Sequence, residues 1–202
     1  MSESGPGAPV RRVATEARVT RETRIEVDVD LDGSGSAAID VPLPFFRHML
    51  ESFVKYSGMD VRLSGSGDIE VDAHHLVEDC GLALGGAISR ALGDRAGIRR
   101  FGHAYAPLDE SLVRCVLDFS KRPHLVWEMA ALTGRINDFD VTVLHEFVQA
   151  LAQSAGISLH VDLIRGSNLH HVAEAAFKAM GLATREALAR VGRDVPSTKG
   201  VL

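Results

Sequence analysis

Asp72-Ala73-His74-His75-Leu76-Val77-Glu78-Asp79 is matched 96 positions later by Asn168-Leu169-His170-His171-Val172-Ala173-Glu174-Ala175. Nine histidines serve 202 residues, and these two doublets hold four of them. A pattern this unusual, met twice, marks an internal duplication, and two copies are too few to stack as a solenoid. Reading outward from the doublets, the two halves run in the same order. From Arg18 to Leu31 the pattern predicts one half-buried strand, with Ile25, Val27, Val29 and Leu31 alternating with charged residues, and Glu110–Phe119 repeats it with Val113, Cys115, Leu117 and Phe119. In each, a glutamate and a hydroxyl residue come before the alternation, Glu22-Thr23 and Glu110-Ser111.

Asp32-Gly33-Ser34-Gly35 then predicts a turn that returns Ser36–Val41 as the hairpin partner of the first strand. Helices are expected over Pro44–Tyr56, ended by Ser57-Gly58, and over Asp72–Leu92, closed by Gly93, with a short strand at Met59–Leu63 between them. In the second half, strands are expected at Phe101–Leu108, His124–Met129 and Ile157–Leu163, with helices at Val141–Ala155 and Leu169–Val191. The fold class is α+β, built from duplicated β-β-α-β-α halves, with helices covering one face of each sheet. The halves span about 10–96 and 97–195, after a frayed arm over 1–9 and before a C-terminal tail, 196–202.

Composition limits the function. Hydrophobic residues make up 46% and charged residues 24%, which is globular composition. A net charge of −5 gives no general attraction to nucleic acid or an anionic membrane. Cys80 and Cys115 stand in no CxxC spacing, as expected of reduced thiols in a soluble, cytoplasmic protein.

On a helix each histidine of a doublet shares a face with the glutamate, four or three positions on. Adjacent histidines diverge by about 100°, so the simplest arrangement is two ions, each taking one histidine of every doublet. His48 and His145, one in the first helix of each half, supply further ligands. The set is then His48, His74, His75, His145, His170 and His171 with Glu78 and Glu174. Imidazole and carboxylate without thiolate leave Mn, Fe, Zn, Co and Ni open. Four protein ligands on an octahedral ion leave two positions for substrate, which suits manganese. The zinc-protease order His-Glu-x-x-His is absent. His103, His124 and His160 lie outside the repeat and read as ordinary strand residues. A cationic set, Arg100, Arg122, Lys178 and the Ser197-Thr198-Lys199-Gly200 tail, can clasp a phosphate.

The two doublet segments, together with Arg21-Glu22-Thr23, Phe46-Arg47-His48-Met49-Leu50, Arg100-Phe101-Gly102, Asp109-Glu110, Arg122-Pro123 and the Ser197–Gly200 tail, resemble the imidazoleglycerol-phosphate dehydratase family. The resemblance runs from about Arg18 to the C-terminus. It implies a single domain of the ribosomal protein S5 domain 2-like kind, with the helices between two mixed sheets. It implies a lyase of histidine biosynthesis that converts D-erythro-imidazoleglycerol phosphate to imidazoleacetol phosphate through a di-manganese-bound imidazolate. The same likeness gives two Mn2+ per active site, one on His74, His145, His170 and Glu174, the other on His48, His75, Glu78 and His171. Glu22 and Glu174 become the catalytic carboxylates, and Glu22, Arg100, Arg122, Lys178, Ser197 and Lys199 the substrate-binding residues. A 24-subunit shell of trimers with metals at subunit contacts is also implied. Ser52, Leu108 and Lys121 stand where the family pattern carries glutamine, methionine and glycine.

The chemistry gives the doubled motif a purpose. The proton to be lost is not acidic, so the ring must expel hydroxide, which it does well only as an anion. Two Lewis acids near the ring nitrogens stabilise that anion, and a carboxylate then takes the carbon-bound proton. The rivals are a non-catalytic metal-binding assembly protein, which leaves Glu22, Arg100 and Lys199 unused, and a di-metal phosphohydrolase, whose ligands are usually richer in aspartate.

Overall fold

The computed structural model describes residues 11–202; the arm expected over 1–9 lies outside them. The first half contains β1 (Val13–Val19), β2 (Thr23–Asp30), β3 (Ala37–Asp40), α1 (Pro44–Ser57), β4 (Asp60–Gly67) and α2 (His74–Leu92). The second contains β5 (Phe101–Leu108), β6 (Ser111–Asp118), β7 (His124–Glu128), a small hairpin of β8 (Arg135–Ile136) and β9 (Phe139–Asp140), α3 (Leu144–Ala155), β10 (Ser158–Arg165) and α4 (Leu169–Leu188). Sheet order is β1-β2-β4-β3 in one half and β5-β6-β10-β7 in the other, the same topology twice. Each half thus carries a leading strand before the β-β-α-β-α order. Among the described residues no helix is long and apolar enough to cross a membrane.

Alternation in β2 and β6 works as the sequence predicts. Ile25, Val27, Val29, Val113, Cys115 and Leu117 are buried, and the residues between them face outward. The helices lie between the two sheets. α2 packs on β1 and β2, α4 packs on β5 and β6, and the pairs α2–α3 and α1–α4 join the halves. Two glycines permit that closeness. A Cβ on Gly85 would stand 2.7 Å from the Leu151 carbonyl oxygen of α3, and one on Gly181 would stand 2.7 Å from the Phe53 carbonyl oxygen of α1. Both thiols are free and buried, and burial pushes their pKa up.

The expected hairpin between the first strand and Ser36–Val41 is not formed. β2 pairs antiparallel with β1 and β4, whereas β3 pairs parallel with β4. The true hairpin turn is at Thr20–Glu22, inside the single strand expected from Arg18 to Leu31, where the Thr20 hydroxyl oxygen accepts the N–H groups of Glu22 and Thr23. The later turn is held elsewhere, because Asp60 Oδ1 accepts from the N–H groups of Ser34 and Ser36 and so carries the chain past β4. The last helix also stops short of Val191. The backbone N–H groups of Arg99 and Arg100 take the carbonyls of Ala189 and Ala187, and Arg190 bridges to Ile98. Tertiary partners thereby replace a further helical turn.

Candidate metal centre

Both doublets sit in the first turn of a helix; Asn168 caps α4 with its side chain, whereas the α2 N-cap is Ala73 and the neighbouring contact comes from Asp72. Asn168 Oδ1 accepts from the N–H groups of His170 and His171, at 2.9 and 3.2 Å, and Asp72 Oδ1 accepts from His74 N–H at 2.8 Å. The rings within a doublet stand nearly perpendicular, at 78° for His74 and His75 and 75° for His170 and His171.

One group of candidate ligands comes together within the chain. His48 Nε2 and His170 Nε2 each lie 3.2 Å from Glu174 Oε2, and the three donor atoms fall within 4.8 Å of one another. Glu174 Oε1 is 2.8 Å from Lys178 Nζ, whose ammonium also lies 5.7 Å from the Tyr56 ring centre. Burial alone would raise the pKa of Glu174; Lys178 and His48 outweigh it and hold the carboxyl below its ordinary range. Two imidazole nitrogens and an ionised carboxylate converging on one point fit a divalent first-row metal and leave coordination positions open.

The counterpart group is not closed. His74 Nε2 is 3.9 Å from Glu78 Oε2, but His145 instead lies 3.2 Å from Glu146 and edge-on to Trp127. His145 does not hold the place in its helix that His48 holds. His48 lies ten residues before the αL glycine that caps α1, Gly58, and His145 lies eleven before Gly156, which caps α3. One residue turns a side chain by about 100°. The ligand division implied by the resemblance assigns His48 to one ion and His170 with Glu174 to the other; in the single chain, His48 stands on Glu174.

The second histidine of each doublet has its Nδ1 occupied by a carboxylate. His171 Nδ1 is 2.7 Å from Glu110 Oε2, and His75 Nδ1 is 3.1 Å from Asp68 Oδ2 and 3.7 Å from Glu22 Oε2. These contacts raise the pKa of His171, chiefly through Glu110, and of His75, chiefly through Asp68. Such an arrangement leaves Nε2 as the ring nitrogen open to a metal ion. Neither Asp68 nor Glu110 is a candidate from the sequence. Glu110 was findable as the repeat of Glu22, whereas no local signal marks Asp68, which follows β4 in a loop.

Glu22 is half-exposed beside His75. Its neighbour Thr23 donates a hydrogen bond to buried Asp79 of α2, which also pairs with Arg18 Nε at 2.6 Å. The phosphate candidates do not form one cluster in the chain. Arg100 pairs with both oxygens of Asp118 at 2.6 and 3.0 Å, and its Nη1 donates to the Pro196 carbonyl at 2.8 Å. Ser197 and Lys199 form a turn in which Ser197 Oγ accepts from Lys199 N–H. Arg100 lies level with Ala187 on α4, nine residues beyond Lys178; that is roughly 14 Å along the helix. Arg122 is exposed, and its carbonyl accepts from Ser158 Oγ at 2.9 Å. Just before it, Lys121 adopts φ 58°, a left-handed conformation that glycine takes without strain. Ser52 is buried one turn beyond His48, its hydroxyl without a hydrogen-bond partner. His103, His124 and His160 are exposed strand residues.

Residues 41–184 match the family model described as imidazoleglycerol-phosphate dehydratase. The chain belongs to the imidazoleglycerol-phosphate dehydratase family. The imidazoleglycerol-phosphate dehydratase of Bordetella petrii is 50% identical over 194 residues, which is 95% of this chain and 100% of that one. That of Acidithiobacillus ferrooxidans is 49% identical, covering 95% of this chain and 98% of its own. The crystal structure of imidazoleglycerol-phosphate dehydratase from Staphylococcus aureus superposes with a TM-score of 0.80 at 31% identity, covering 89% of this chain and 99% of that one. That from Pyrococcus furiosus, in complex with (S)-C348, gives 0.78 at 35% identity, covering 92% and 99%. Imidazoleglycerol-phosphate dehydratases are hydro-lyases of histidine biosynthesis, and the chain is an enzyme of that class.

Proposed function

We propose that this chain removes water from D-erythro-imidazoleglycerol phosphate to give imidazoleacetol phosphate, with two manganese ions per active site. The observation that carries the reading is the convergence of His48, His170 and Glu174 beside Lys178, with Glu22 facing the other doublet at His75. His48, His74, His75, His145, His170, His171, Glu78 and Glu174 hold the ions. When bound, the ions supply Lewis acidity to the substrate's imidazole ring. Lys178 keeps Glu174 ionised, so the carboxylate stays a ligand at neutral pH. Glu22 accepts the carbon-bound proton. The buried thiols suit a cytoplasmic site of action. Product formation from this substrate by purified protein, with and without manganese, is the test.

Arg100 is committed to Asp118 and to the tail, so we assign it to anchoring the tail while Ser197, Lys199 and Arg122 meet the phosphate. With Lys178 and the tail at separate levels of α4, a complete pocket draws them from neighbouring subunits. Lys199→Ala is expected to raise KM and also lower kcat, because remote phosphate binding helps to position the reacting carbon. Steady-state kinetics checks this; unchanged substrate binding by a chain truncated before Ser197 would remove the tail from the site.

Among the described residues, only His48, His170 and Glu174 form a closed ligand group within one chain. His74 and His145, assigned to one ion, and His75 and Glu78, assigned to the other, therefore complete their sites with ligands from another subunit. Metal binding free energy then becomes part of assembly free energy. Metal-free protein is expected to form small oligomers, and manganese to drive it to a large shell. Light scattering across a manganese titration decides this; a constant mass would place the sites within subunits or in a preformed shell.

A further inference from the structure

The two halves hold their second histidine in different ways. In the second half, Glu110 Oε2 contacts His171 Nδ1 at 2.7 Å. Its Oε1 accepts from the Ser111 hydroxyl at 3.0 Å and from the N–H groups of Ser167 and Asn168 at 3.3 and 3.0 Å. Both oxygens are committed, and Glu110 is locked. Glu22 precedes β2 as Glu110 precedes β6, yet its carboxylate stands 3.7 Å from His75 Nδ1 and is 54% exposed. The hydrogen bond to His75 is made by Asp68 instead, with its two oxygens at 3.1 and 3.2 Å. Asp68 is itself fastened to the same strand end. Its N–H donates to the Glu22 carbonyl at 3.1 Å, and its own carbonyl accepts from Val71 N–H at 2.8 Å.

We propose that Asp68 is a positioning residue that orients His75 for metal ligation, taking in the first half the place that Glu110 takes in the second, and so leaves Glu22 free for proton transfer. The duplicated pair of glutamates has thereby divided into an orienting group held by hydrogen bonds and a reacting group whose carboxylate is exposed. A ligating imidazole whose other nitrogen is held by a carboxylate keeps its ring direction and tautomer. If Glu22 had to hold His75 as Glu110 holds His171, its oxygens would be committed to the ring. The release of Glu22 rests on the proton-transfer reading above; the orientation of His75 does not.

The test titrates metal-free protein with Mn2+ at one pH for the parent, Asp68→Ala, Asp68→Asn and Glu22→Gln, with melting curves and steady-state kinetics on each. Asp68→Ala is expected to weaken manganese binding by about 10–100-fold and to lower kcat with KM little changed, while the metal-free protein melts as the parent does. Asp68→Asn keeps an oxygen that accepts from Nδ1–H and should recover most of the affinity, which a loss of folding would not allow. Glu22→Gln should bind manganese as the parent does. Parental manganese affinity in Asp68→Ala, or no recovery in Asp68→Asn, overturns the orienting role. Undiminished turnover in Glu22→Gln would overturn the proton-transfer reading, and with it the release of Glu22, while the titration judges Asp68 separately.

Discussion

Glu22→Gln is expected to lower turnover by about 10²–10⁴-fold, the usual cost of a lost general base, while fold and bound metal are retained. The substitution keeps the shape of the side chain and touches none of the contacts that fix this turn. Those contacts are made by the Thr20 hydroxyl, by the backbone, and by Thr23 with Asp79. His75 keeps its hydrogen bond to Asp68. The change is therefore confined to the group's capacity to take a proton. Measuring kcat beside metal content and melting temperature checks it. Turnover close to the parent's would return Glu22 to the reading of a solvated carboxylate on a strand edge.

Glu174→Ala is expected to have a still wider effect. Glu174 is the shared neighbour of His48 and His170, and it neutralises Lys178, whose side chain is only 17% exposed. Removing it deletes a proposed ligand and leaves that ammonium without its carboxylate in a partly buried place, so two costs are expected to add. Loss of metal affinity should exceed the ~10–100-fold typical of an outer-shell group, and one of the two ions should be absent after dialysis. Elemental analysis of the dialysed variant gives the count. A variant that retains the parent's metal content would show that the His48–His170–Glu174 cluster is an ion-pair network and not a ligand set.

The doublets were legible because a helix converts sequence spacing directly into direction. His74 and Glu78, or His170 and Glu174, share a face by geometry alone. The buried faces of β2 and β6 were legible because alternation is local. Pairing was not. Val13–Val19 has few large apolar residues, and each of its seven residues is exposed or half-buried, so β1 is weakly written. The turn at 32–35 carries hairpin residues, yet Asp60, from β4, decides where the next strand goes. The separate direction of His145 was hidden as well, because a single residue of difference between α1 and α3 matters only once the packed helices supply a frame. Arg100 read as a phosphate ligand from its neighbours in sequence; its bidentate pairing with Asp118 depends on β5 lying beside β6. Asp68 escaped notice because only the pairing of β2 with β4 brings it to Glu22 and His75.

The central claim is a metal-dependent dehydration, and one measurement addresses it directly. Purified protein would be stripped of metal with a chelator, assayed for imidazoleacetol phosphate formation from D-erythro-imidazoleglycerol phosphate, then reloaded with manganese and assayed again. The account predicts no turnover in the stripped protein and full recovery as two manganese ions per active site are restored. Turnover that survives with no transition metal bound, or manganese-loaded protein that forms no product, would contradict it.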